Sequence, residues 1–146
     1  MIISREEIGA LIPHAGTMRL LDGVLAWDET SIRCVSTQHR APGNPLRRGD
    51  QLGPLSAVEF ASQAMAVHGR LTGAVNERPR AGYLASLREV VCDCERLDDI
   101  AGELIIEAKR IMGDQGRAMY AFSVASGARR LVTGRATVLL QPMTPA

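Results

Sequence analysis

The apolar positions first follow a helical period: Ile8, Leu11 and Ile12 share a face behind Ser4, and Glu7 stands where it closes a capping box on Ser4. Pro13 ends this helix. Two runs of strand character follow, Met18 to Trp27 and Ser31 to Thr37, and the polar turn Asp28-Glu29-Thr30 between them predicts an antiparallel hairpin. Pro42, Gly43, Asn44, Pro45, Gly49 and Asp50 then exclude regular structure from a long loop, the kind of segment that tends to carry function. Leu55 to Leu71 is the one strong helix, rich in Ala, Leu and Met and apolar on nearly every side, which predicts burial. Its polar exceptions are Ser56, Glu59, Ser62, Gln63 and His68. After Pro79 the chain reads as strands over Ala81 to Cys94, Gly102 to Met112, Arg117 to Ala125 and Arg130 to Leu140, with turns at 113–116 and 126–128. One apolar helix and a meandering antiparallel sheet bury each other when the helix lies across the sheet's concave face, an α+β architecture. Such a wrap leaves edge strands for a second subunit to cover.

A length of 146 residues with 46% hydrophobic content suits one domain, 1–146, with a real core. Seventeen Lys and Arg against 16 Asp and Glu leave a net charge of +1, and aromatics are only 3%, which argues against nucleic acid as a partner. No apolar run reaches the roughly 20 residues of a membrane span. The N-terminal stretch carries acids and a proline where a signal peptide would be basic and then apolar, so the expected location is the cytoplasm. The balance is uneven: Arg40, Arg47 and Arg48 stand together without an acid, and Arg70, Arg78, Arg80 and Arg88 face only Glu77 between them. These clusters fit either a solvated surface or a small acidic partner. Three cysteines without a C-x-x-C pair predict free thiols, Cys92 and Cys94 among them. Neither a metal ligand set nor a glycine-rich phosphate loop is present, so no cofactor is implied.

Glu59 is the foremost candidate for chemistry. A carboxylate in so apolar a helix must be hydrogen-bonded, paired or shifted in pKa, and a poised acid is what proton transfer uses. The alternative is a structural Glu satisfied by Gln63, one turn away on the same face. His39, just ahead of the Pro-Gly loop, is either an imidazole reaching a site at the helix N-terminus or a surface histidine. His68 falls on the helix face opposite Glu59 and reads as a packing or surface residue, and His14 as part of the turn after the first helix.

Ile12-Pro13-His14, Met18-Arg19-Leu20-Leu21-Asp22, Pro42-Gly43-Asn44-Pro45 and Glu59-Phe60-Ala61-Ser62-Gln63-Ala64 together resemble the β-hydroxyacyl-ACP dehydratases of the FabA/FabZ type. Asn44-Pro45-Leu46-Arg47-Arg48 and the His68-Gly69 pair are closer still to the divergent ApeP-like group encoded with aryl polyene pathways. The resemblance implies a hotdog fold, used as a homodimer or as a heteromer with another hotdog subunit, with active sites at the subunit interface. It implies a 3-hydroxyacyl thioester as substrate, on acyl carrier protein or coenzyme A. In that family a loop His takes the α-proton, a helix Glu of the other subunit protonates the leaving hydroxyl, and N–H groups at the helix start polarise the thioester carbonyl. Carried over, Glu59 becomes the acid and His39 the base, with Gly53, Leu55, Ser56 and Gln63 near the substrate. This chain departs from the family twice: counting back from Pro42 puts Arg40, not His39, at the family's His position, and Pro54, which has no N–H, stands where the family has glycine. Two other readings therefore stand beside an active dehydratase: a catalytically weakened partner subunit of a dehydratase complex, and a hotdog acyl thioesterase. All three make Arg47, Arg48, Arg78 and Arg80 candidate contacts for carrier-protein acids or coenzyme A phosphates.

Overall fold

A computed structural model describes residues 2–12, 16–73, 81–114 and 116–141. Its elements are β1 (Ile3–Ser4), α1 (Arg5–Leu11), β2 (Gly23–Trp27), β3 (Ser31–Ser36), α2 (Ser56–Thr72), β4 (Ala81–Cys92), β5 (Leu104–Asp114), β6 (Arg117–Ser126) and β7 (Arg129–Gln141). Short 3-10 turns occupy Gly16–Met18 and Gln38–Arg40. The capping box forms as expected, with the Glu7 N–H donating to Ser4 Oγ at 3.2 Å and the Ser4 N–H to Glu7 Oε1 at 3.3 Å.

All seven strands belong to one sheet in the order β1-β2-β3-β5-β6-β7-β4, every pairing antiparallel. α2 packs on β3, β5 and β6, the middle of the sheet, and α1 lies beside α2. Phe60, Ala61, Ala64 and Val67 of α2 join Cys34, Ile106, Phe122 and Val124 of the strands in one buried core, where truncating Phe60 to Ala would cost about 3–5 kcal/mol. This is the expected hotdog arrangement of a sheet around one helix.

Two expectations need correction. The run Met18 to Trp27 is a strand only from Gly23, because the earlier main chain is held by side chains instead of a ladder. Gln63 takes Met18 and Leu20, the Ser36 hydroxyl donates to the Leu20 carbonyl, and Arg5 donates to the Leu21 carbonyl at 3.1 Å. More consequential, α2 is not covered on all sides. Leu55 and Glu59 are exposed and Ser62, Ala66 and Gly69 half-buried, a stripe at helical spacing that the sheet does not reach. Small residues make every face of a helix look apolar, but one curved sheet can cover only one side of it.

At the far edge, β4 pairs among the described residues only with β7 and presents Leu84, Leu87 and Val91, each 39–50% exposed, along a strand broken by two bulges. The three cysteines are free thiols, as expected: Cys34 is buried, with its pKa pushed up to about 12 by desolvation, Cys92 exposed and Cys94 half-buried.

Candidate active site

His39 sits in the 3-10 turn at the end of β3, and that turn is shaped from below by one carboxylate. Asp22 accepts the Thr37 N–H and hydroxyl, each at 2.7 Å, and the Gln38 side-chain amide at 2.8 Å. The His39 side chain turns inward and is fully buried, against the surface alternative. Its Nε2 lies 3.0 Å from the Ile100 carbonyl, which only accepts, so Nε2 carries the hydrogen and Nδ1 the lone pair. That Nδ1 is buried and has no partner among the described residues. Burial lowers the His39 pKa, opposed by the Ile100 carbonyl bond and the nearby Gly102 carbonyl and assisted by Arg40 and Arg47, so the ring is neutral at pH 7.

The Pro-Gly loop is an ordered knot. Arg47 donates to the carbonyls of Ala41 (2.9 Å), Asp50 (3.0 Å) and His39 (3.3 Å), and the Asn44 side-chain amide donates to the Gln38 carbonyl at 2.9 Å. Its guanidinium is thus committed to main chain, whereas Arg48 is exposed and pairs with Gln51 through backbone bonds alone. Arg78 and Arg80 lie outside the described residues, as does His14.

At the start of α2 the N–H groups of Ser56, Ala57 and Val58 are satisfied by the carbonyls of Gly53, Pro54 and Leu55 at 3.0–3.1 Å. Ser56 is therefore spent as a backbone donor. Gly53 and Leu55, both exposed, keep N–H groups without partners among the described residues, and they flank Pro54 at the positive end of the helix. Glu59 lies one turn further along the same exposed stripe as Leu55 and makes no hydrogen bond or ion pair among the described residues. The embedding expected from the apolar composition of α2 does not occur within one chain.

Gln63 follows a different course from the substrate contact expected of it. Its Oε1 accepts the Leu20 N–H at 2.8 Å and its Nε2 donates to the Met18 carbonyl at 2.6 Å, so the amide ties residues 18–20 to α2 and leaves Glu59 unpaired. The polar residues around Asp22, Arg96 and Asp98 carry no local sequence signal of their structural work. Their partners lie 15 to 46 positions away, apart from the Arg96–Asp98 pair itself, and only that Arg-x-Asp spacing was visible in the chain.

The family model of the ApeP-like proteins, described as ApeP dehydratase, matches residues 6–145. Comparison with curated proteins finds no match. Among solved structures, a chain of the dehydratase heterocomplex ApeI:P from Xenorhabdus doucetiae is similar, with a TM-score of 0.83 and 22% identity, over 93% of this chain and 91% of that one. A mutant of the thioesterase PA1618 from Pseudomonas aeruginosa has a TM-score of 0.67 and 13% identity, over 98% of this chain and 97% of its own. A hypothetical thioesterase from Streptococcus pneumoniae, solved with coenzyme A, has a TM-score of 0.59 and 9% identity, over 84% and 87%. Identities this low establish the hotdog fold and not the chemistry it hosts. Because the family model spans nearly the whole sequence, the chain belongs to the ApeP-like dehydratase family.

Proposed function

We propose that this chain is a 3-hydroxyacyl-thioester dehydratase subunit of fatty-acid or polyene biosynthesis, acting in the cytoplasm on an acyl carrier protein substrate. Its active site is completed by a second hotdog subunit. The observation that carries this reading is His39: a neutral imidazole locked by the Ile100 carbonyl in one tautomer, with a buried lone pair that none of the described residues uses. An unspent buried acceptor calls for a functional explanation, and a neutral ring nitrogen with its partner nitrogen anchored is the form a general base takes.

In the proposed reaction His39 Nδ1 takes the α-proton of the thioester, and the electron pair forms the Cα–Cβ double bond. The β-carbon–oxygen bond breaks as the Glu59 carboxyl gives its proton to the departing hydroxyl, releasing water and a 2-enoyl thioester. The Gly53 and Leu55 N–H groups stabilise the enolate oxygen in place of the donor that Pro54 lacks. Glu59 is exposed in the single chain, where a partner subunit can cover it. The open stripe on α2 and the unpaired β4 edge are the surfaces for that partner. The relative in the ApeI:P heterocomplex supports a different hotdog chain in this role. Arg48, exposed in the loop that precedes α2, is the described arginine we assign to carrier-protein acids or the phosphate of the pantetheine arm.

One observation favours the catalytically weakened subunit as a second reading: no part of the His39 side chain is open to solvent in the single chain, so substrate does not reach its Nδ1 without a rearrangement around it. A single assay separates the readings. The purified chain, alone and with a co-expressed hotdog dehydratase subunit, is incubated with a 3-hydroxyacyl carrier protein and the products are weighed by mass spectrometry. Enoyl product lost in both Glu59→Gln and His39→Ala supports the proposal, wild-type rates in both leave the chain a supporting subunit, and free acid identifies a thioesterase.

A further inference from the structure

Two loops meet beside the entrance of α2, and one side chain joins them. Asp98 Oδ1 accepts the Leu52 N–H at 2.8 Å, and the Leu97 N–H donates to the Leu52 carbonyl at 2.8 Å, so residue 52 is held on both its polar groups. Leu52 immediately precedes Gly53 and stands three positions before Leu55, the two residues with unspent N–H groups. Asp98 lies within a turn closed by the Ile100 N–H on the Leu97 carbonyl at 3.1 Å, and the carbonyl of that same Ile100 anchors His39 Nε2. The next carbonyl, Ala101, accepts from Arg40 at 2.8 Å. Arg96 clamps the carboxylate, its Nε donating to both oxygens at 3.0 Å and its Nη2 to Oδ2, while Nη2 also approaches the Asp50 carbonyl at 3.5 Å. The Asp98 side chain is only 7% exposed, so its charge is fully committed to this arrangement.

We propose that Asp98 is a positioning residue that sets two catalytic parts at once, the His39 ring through the Ile100 carbonyl and the helix-entrance N–H donors through Leu52. The inference rests on the dehydratase reading given above. Asp98 touches no substrate. Its work is to keep the base and the carbonyl-polarising donors in mutual register, where a displacement near 1 Å costs about a hundredfold in rate. Arg96 in turn fixes the carboxylate's orientation, because a bidentate arginine leaves an aspartate little freedom to rotate.

The test uses the full-length chain, with its partner subunit wherever turnover requires one, and the variants Asp98→Ala, Asp98→Asn and Arg96→Gln. Nitrogen-15 NMR of the histidine rings reads His39 directly. The wild type is expected to show one tautomer with a protected Nε2–H, and Asp98→Ala faster exchange of that proton and of the Leu52 amide. Asp98→Asn, whose amide oxygen still accepts from Leu52, keeps part of that protection and carries the test if the alanine variant does not fold. With 3-hydroxyhexanoyl carrier protein, kcat should fall at least about tenfold in Asp98→Ala with KM nearly unchanged, and less in Asp98→Asn and Arg96→Gln. Wild-type exchange at both His39 and Leu52 in Asp98→Ala overturns the proposal. So does an equal loss of kcat in Tyr120→Phe, which weakens the core away from both loops. If the wild-type complex makes no enoyl product, the dehydratase reading falls, while the NMR measurement still decides whether Asp98 positions His39.

Discussion

The His68 imidazole and the Tyr120 hydroxyl meet at 2.8 Å inside the core, their rings edge-on with centroids 5.6 Å apart. His68 Nε2 lies 2.9 Å from the Asp28 carbonyl and must donate there, so Nδ1 accepts the Tyr120 O–H. The pair therefore fixes a neutral histidine, and it ties the last turns of α2 to the β2–β3 hairpin and to β6. Burial pushes the Tyr120 pKa up to about 12, which keeps the donor proton in place. Replacing Tyr120 with Phe strands the buried Nδ1 and should lower stability by about 1–3 kcal/mol, read from urea midpoints. An unchanged midpoint would mean that water replaces the hydroxyl.

Two buried histidines give the protein an acid-sensitive stability. Burial lowers the pKa of both His39 and His68 below the ordinary 6.5, so the unfolded chain takes up protons before the folded chain does. Stability is complete above pH 6.5 and falls as pH drops through 6.5 toward the lowered folded values, by at most about 1.4 kcal/mol per pH unit for each histidine. Urea unfolding at pH 7.5 and 5.5 should show the loss, and His39→Ala or His68→Ala should each flatten the slope. A midpoint that does not move between these pH values would contradict the neutral assignment of both rings.

Gly134 makes room for an aromatic ring. It sits directly opposite Phe122 in the β6–β7 ladder, and a Cβ there would stand 2.7 Å from Phe122 Cζ and 3.1 Å from Val90 Cγ2. Gly134→Ala should therefore cost about 1–3 kcal/mol from overpacking. In a double-mutant cycle, Phe122→Leu should recover part of that loss, since the smaller side chain vacates the contact. Strict additivity would show that strain arises elsewhere in the strand.

Gln63→Ala leaves the Leu20 N–H and the Met18 carbonyl without their side-chain partners. The expected cost is about 2–4 kcal/mol for two polar groups left unsatisfied. Hydrogen exchange at Leu20 should accelerate more than at the strand amides of β6. Equal acceleration everywhere would make Gln63 a contributor to global stability and not an anchor of residues 18–20.

Association through β4 should depend on its exposed apolar residues. Leu84→Lys together with Leu87→Lys is expected to leave the single chain folded, because both positions are already about 40% exposed, and to prevent assembly with a second hotdog subunit in light scattering. Undiminished assembly would place the partner elsewhere, with the open stripe of α2 the remaining surface.

Much of the scaffold was legible in local signals. The capping box of Ser4 and Glu7, the Asp28 turn, the long apolar run of α2 and the period-two runs after Pro79 each act over a few residues, and each formed close to its expected bounds. Residues 19–22 misled because a strand and a non-ladder segment pinned by side chains have the same apolar pattern. Only the pairing partner distinguishes them, and here the partner is Gln63, 45 residues from Met18. Glu59 misled for a related reason. Composition says what a helix can bury, and the sheet's curvature decides which side it does bury.

By itself the sequence determined one α+β domain around a single helix, the family to which the helix Glu/Gln pair and the Pro-Gly loop pointed, and the identity of the candidate acid and base. Tertiary structure alone decided where those residues stand: His39 inside with a spare lone pair, Glu59 exposed on α2, Gln63 and Arg47 spent on main chain, and Asp98 joining the loops. Local order follows from forces between near neighbours, which a sequence displays. Burial, tautomer and hydrogen-bond partnership depend on which distant segments the fold brings within about 3 Å.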